Sequence, residues 1–109
     1  MNLAEETRGI LRRNGKMLSD ILWIGSKDFE IPQSMFWELA DREYDPNTGT
    51  TSQNVAVDLV IVGRDFWLER VVKNNQKQWE CKEYPKRPTR IKTVRSLIGY
   101  CYAELIDLV

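Results

Sequence analysis

With 109 residues the chain is one domain's worth of polymer, long enough to bury a core and too short for two. Apolar residues make up 42% and charged residues 29%, ordinary globular proportions that set it apart from disordered chains. Its 16 basic side chains balance 16 acidic ones, which removes the simplest case for a nucleic-acid-binding domain and equally for an acidic mimic of nucleic acid.

The charge is nevertheless unevenly placed. From Asp28 to Glu69 nine acids stand against Arg42 and Arg64, and from Arg70 to Arg95 nine bases stand against Glu80 and Glu83. These segments, net −7 and net +7, either pack side by side and neutralise each other or mark a partner-facing surface. Cys81 and Cys101, in a chain that shows no leader, read as buried thiols of an intracellular protein rather than as a structural disulfide. There is no histidine, and two cysteines 20 positions apart make no metal site. The apolar stretches near Val55–Val62 and Leu97–Val109 are too short or too polar to span a bilayer.

Along the chain, Leu3, Ile10 and Leu11 among charges predict a weak amphipathic helix over Leu3–Arg13, or a frayed terminus, stopped at Asn14-Gly15. The short apolar run from Met17 to Ile24, ended by Gly25-Ser26, reads as a strand. Pro32 suits a first helical turn, and Phe36, Leu39, Ala40 and Tyr44 recur at helical spacing, so a helix is expected over Met35–Tyr44. Asp45 to Ser52 is dense in turn formers and reads as an exposed loop.

Val55–Val62 is β-branched and almost wholly apolar, which predicts a central strand covered on both sides. Gly63-Arg64-Asp65 turns the chain into a second strand, Phe66–Val72, and Asn74-Asn75-Gln76 turns it again into Gln78–Tyr84. Alternation in that last strand puts Trp79, Cys81 and Glu83 on one face and Glu80, Lys82 and Tyr84 on the other. Connections this short force an antiparallel meander. After the break at Pro85-Lys86-Arg87-Pro88, the spacing of Val94, Leu97, Ile98, Cys101, Leu105 and Val109 predicts a helix from about Thr93 to the end, with an edge strand over Arg90–Ile98 as the alternative.

The blocks Ile24–Asp28, Leu39–Asp45 and Asp58–Gly63, with Trp67-Leu68-Glu69-Arg70 and Trp79-Glu80-Cys81-Lys82 before Tyr84-Pro85, resemble small uncharacterised proteins encoded by phages and prophages of Gram-positive bacteria. The resemblance covers roughly Asp20 to Pro88 and departs from the pattern at the second hairpin, where Asn-Asn-Gln stands in place of a turn such as Asp-Gly. It implies the cytoplasm of a bacterial host and carries over neither an activity nor a catalytic residue.

Four features carry candidate chemistry. Glu80-Cys81-Lys82 is an E-x-K on a strand with Asp58 and Asp65 upstream, the arrangement with which metal-dependent nucleases hold Mg²⁺, but it equally describes a solvated strand face with cross-strand pairs. Trp67, Glu69 and Arg70 form a candidate partner-binding patch, since Trp and Arg are frequent interface anchors, with Trp67 and Glu69 on one face of the strand and Arg70 on the other. Against this, Trp67 reads as core and Glu69 as the partner of Lys77 or Lys82 across the hairpin. Lys86 and Arg87, within the basic run Lys82–Arg95, are candidates for a phosphate or partner contact. Trp23, Phe36 and Trp37 could line a pocket, although aromatics at such spacings are more often core.

The sequence thus predicts a single α+β domain spanning 1–109. Its core covers about 18–84, an antiparallel three- to four-stranded β-meander with helices packed on one face, and a helical segment occupies about 93–109. Without a histidine, a nucleophile–base pair or a phosphate loop, the expected function is non-enzymatic and cofactor-free. It is that of a phage-derived accessory protein binding a host macromolecule, such as an inhibitor or modulator of a host or defence protein. The alternatives are a nucleic-acid-binding module using 82–95 and a weak Mg²⁺-dependent nuclease. The expected partner is a host protein, with nucleic acid second and no membrane, and the chain is expected as a monomer or as a homodimer through the C-terminal helix.

Overall fold

The computed structural model describes residues 1–49 and 53–109. Helix α1 spans Leu3–Arg13. The Asn2 side chain accepts a hydrogen bond from the Glu5 amide at 3.0 Å, with Glu5 and Glu6 in the first turn and Arg12 and Arg13 in the last, so both ends suit the helix dipole. Gly15, at φ +68°, lets the Lys16 amide return to the Leu11 carbonyl at 2.9 Å and stops the helix. Strand β1, Ile21–Gly25, turns back into the two-residue β2, Glu30–Ile31, and helix α2 follows over Gln33–Ala40. Strands β3 (Val60–Gly63), β4 (Phe66–Lys73) and β5 (Gln76–Glu83) complete the sheet.

The protein is α+β, and its sheet has five antiparallel strands in the order β2-β1-β3-β4-β5 rather than the three or four expected. The meander β3-β4-β5 is present. Asn74 and Asn75, at φ 53° and 60°, form the two-residue hairpin turn whose twist matches the strands, a conformation that Asn tolerates. One cross-strand row, Ile31–Ile24–Ile61–Leu68–Cys81, faces α1 and α2, and with Leu11, Phe36, Ala40, Phe66 and Trp79 it forms the core.

Several expectations are corrected: the strand read from Met17 begins at Ile21 after a 3₁₀ turn, Leu18–Asp20, and the helix read over Met35–Tyr44 spans Gln33–Ala40 instead. The strand predicted over Val55–Val62 begins only at Val60: β1 ends at Gly25, opposite Val60, and although β4 runs on past Glu69 to Lys73, residues 55–59 do not pair with it. Instead the chain turns there, the Leu59 amide bonding to the Ala56 carbonyl, and Val57 is exposed. Nor is this strand covered on both sides, since both helices lie on one face.

The helix predicted over 93–109 is absent, and Arg90–Ile98 forms no strand either. Beyond β5 the chain is an arm without helix or strand that folds back on itself at its far end, the Arg95 amide donating to the Leu108 carbonyl at 2.8 Å, and that closes in one 3₁₀ turn, Leu105–Leu108. An amphipathic helix of this length is marginal without a surface for its apolar stripe, and Gly99 with the flanking β-branched and aromatic residues lowers its propensity further. Residues 82–102 are exposed throughout. The expected exposed loop Asp45–Ser52 is exposed or half-buried over 45–49, and its last three positions lie outside the described residues. No helix among the described residues is long and apolar enough to cross a membrane.

Candidate functional site

Alternation along β4 divides the predicted patch between two faces of the sheet. Arg70 falls in phase with Phe66 and Leu68 and so points at the helices, whereas Trp67 and Glu69 point away from them. Arg70 is therefore withdrawn from any partner surface. Its side chain is 4% exposed, its guanidinium bonds Glu6 of α1 at 3.1 Å, and it lies over the rings of Trp79 at 4.7 Å and Tyr44 at 5.5 Å.

Glu6 also accepts from the Trp79 amide at 2.9 Å and from the Tyr44 hydroxyl, which in turn accepts from Arg70 at 2.9 Å. Thr7, one residue on, accepts from the Trp79 indole at 2.8 Å and donates to the Leu3 carbonyl. This network ties α1 to β4, β5 and the segment after α2. Its sequence signal was present: an arginine on an inward strand position needs a buried acid, and Glu6 shares a helical stripe with Leu3 and Ile10.

Partial burial, and then the hydrogen bond to Glu6, raise the Tyr44 hydroxyl to about 12. The folded chain therefore keeps a proton that the unfolded chain releases near pH ~10. The contribution to stability is complete below pH ~10 and declines as pH rises from there towards about 12. Urea midpoints measured across this alkaline window should fall for the wild type and flatten in Tyr44→Phe; equal slopes would show that Tyr44 is not the group responsible.

On the opposite face the register lines up Trp23, Val62, Trp67 and Lys82 in one row across β1, β3, β4 and β5. A β-bulge at Leu22 brings Trp23 into this row. Tyr84 packs on Trp67 with ring centroids 5.0 Å apart. The neighbouring row brings Glu69 directly opposite Glu80, an unfavourable like-charge pair that Lys82 relieves at 2.6 Å and 4.0 Å respectively. Lys82, and then the Trp67 indole N–H at 3.1 Å, hold the Glu69 carboxyl below its usual range. Trp67 is thus half-buried beside an ion pair and belongs to neither the core nor a bare surface. Val62 joins this site without having been a candidate, whereas Lys82 was expected as the partner of Glu69, Tyr84 beside the basic run and Trp23 as a pocket aromatic.

The other candidates separate. Lys86 and Arg87 lie on the exposed arm. The E-x-K places Glu80 and Lys82 on the outer face, with Lys82 bound to Glu69, while Asp58 sits in the turn before β3, outside the sheet. Among the described residues, no group of three or more His, Cys, Asp or Glu side chains could hold a metal ion. Trp23 stands on the far side of the sheet from Phe36, which is core and meets Trp37 edge-on at 5.0 Å, so these three aromatics share no pocket. Cys81 is half-buried, and burial raises its thiol, but Cys101 is exposed on the arm, contrary to expectation; both are free. No protein-family model matches the chain, and no curated protein and no solved structure matches it either.

Proposed function

We propose that the chain is a non-enzymatic accessory protein that binds another protein through the helix-free face of its sheet, with Trp67 as the anchor. The observation that carries this reading is the row Trp23–Val62–Trp67–Lys82, which no helix covers and which ends in an aromatic stack and a bridged carboxylate pair. A half-buried tryptophan ringed by polar groups has the composition of an interface hot spot. The likeness to phage and prophage proteins suggests a cytoplasmic protein of a bacterial host as the partner, with inhibition or modulation of a defence component as the outcome.

Affinity capture from a bacterial lysate, followed by titration of the purified captured protein, tests this. Trp67→Ala should weaken binding by at least about 30-fold, the loss typical of a hot-spot aromatic. Exchanging Glu69 and Lys82 in one chain keeps their ion pair and should weaken binding while leaving the circular dichroism unchanged. Equal affinity for all three proteins would refute the assignment. So would metal-dependent hydrolysis of nucleotides or nucleic acid that Glu80→Ala abolishes.

A further inference from the structure

The Cα radius of gyration is 18.3 Å, where a compact chain of this length has about 13 Å. The accessible surface is 8678 Å², about 2,400 Å² more than a monomer of this mass exposes. Much of the excess lies on the arm, where Ile91, Leu97, Ile98, Tyr100 and Tyr102 are each more than four-fifths exposed. Such an excess is of the order that stable homodimers bury.

The charges point to what covers the arm. Lys86, Arg87, Arg90, Lys92 and Arg95 give it +5 with no acid between them, whereas the segment from Asp28 to Asp45 carries six acids and Arg42, net −5. Among the described residues none of the five bases forms an ion pair, and neither does Glu38. On α2, Met35 and Leu39 lie one turn apart and are both exposed, flanked by Glu38 and Asp41. Leu39 also lines a cleft of about 660 Å³ together with Leu3, Tyr44 and Val55.

The arm leaves the sheet at the β5 edge on the Trp67 face, whereas α2 packs near β1 on the other face, and Pro85 and Pro88 stiffen the exit. We infer that two copies exchange arms: the basic, apolar arm of one copy docks on the acidic, apolar face of α2 in the second, and reciprocally. The apolar residues of the arm are spaced for a helix that lacks a surface, and the second copy supplies one. The Trp67 face takes no part in this contact.

Light scattering and sedimentation of the full chain test the inference. The wild type should be a dimer. Arg90→Glu/Lys92→Glu/Arg95→Glu and, separately, Glu38→Lys/Asp41→Lys should each dissociate at least about 10-fold more readily, with unchanged circular dichroism. An equimolar mixture of the two variants should restore a heterodimer, because each reversed arm then meets a reversed face. A wild type that stays monomeric at every concentration overturns the inference, whether compact through its own folded-back arm or binding DNA with a steep salt dependence. A mixture that stays monomeric overturns it too.

Discussion

Arg70→Ala should lower the free energy of unfolding by about 3–5 kcal/mol, because it leaves a buried carboxylate without its counter-charge. Glu6 is 9% exposed at its side chain and cannot turn to solvent without breaking its bonds to Tyr44 and to the Trp79 amide. For a domain whose stability is about 5–15 kcal/mol, this is a large fraction. Replacing both charges, as Glu6→Leu/Arg70→Met, should recover part of the loss, since a desolvated pair is often matched by apolar residues of similar volume. Recovery should stop about 1–3 kcal/mol short, because the Trp79 amide then has no acceptor. Urea unfolding of the wild type and these two variants measures each step. A cost below about 1 kcal/mol for Arg70→Ala would mean that the pair behaves as a surface salt bridge.

Gly63→Ala should cost about 3 kcal/mol although it adds one methyl group. That methyl would lie 2.0 Å from Phe66 Cε1 and within 2.6 Å of two further atoms of the ring. Phe66 is fully buried and cannot swing out, and Gly63 ends β3 at the tight link into β4. The strain belongs to the pair, so Gly63→Ala in a Phe66→Leu background should cost less than the sum of the two single changes. Strict additivity in thermal or urea unfolding would show that the backbone yields instead of the ring.

The sequence carried the parts of this fold that are local. Alternation over Gln78–Tyr84 placed Trp79 and Cys81 on one face and Lys82 on the other, and the Asn-Asn turn set the register that brings Lys82, on the diagonal, within ion-pair reach of Glu69. Trp67 and Glu69 were legible as neighbours for the same reason. What escaped depended on partners distant in sequence. Val55–Leu59 has the composition of a strand, yet β1, which would flank it on one side, ends some thirty residues earlier at Gly25, and the chain turns away from β4 on the other. The periodicity over Val94–Val109 describes a helix that a surface must stabilise, and the chain's own sheet does not present that surface to it. Arg70 looked like an interface anchor because its acid lies 64 residues away.

Strand β5 is an edge, and an unprotected edge templates the addition of further strands. Here two of its outward amides already have acceptors: Lys77 donates to the Pro46 carbonyl at 2.7 Å and Trp79 to the Glu6 carboxylate. Helix α1 therefore covers part of this margin from within the same chain, its carboxylate occupying an amide that an added strand would need. Growth of the sheet into fibrils is hindered along the margin where β5 would otherwise recruit another strand.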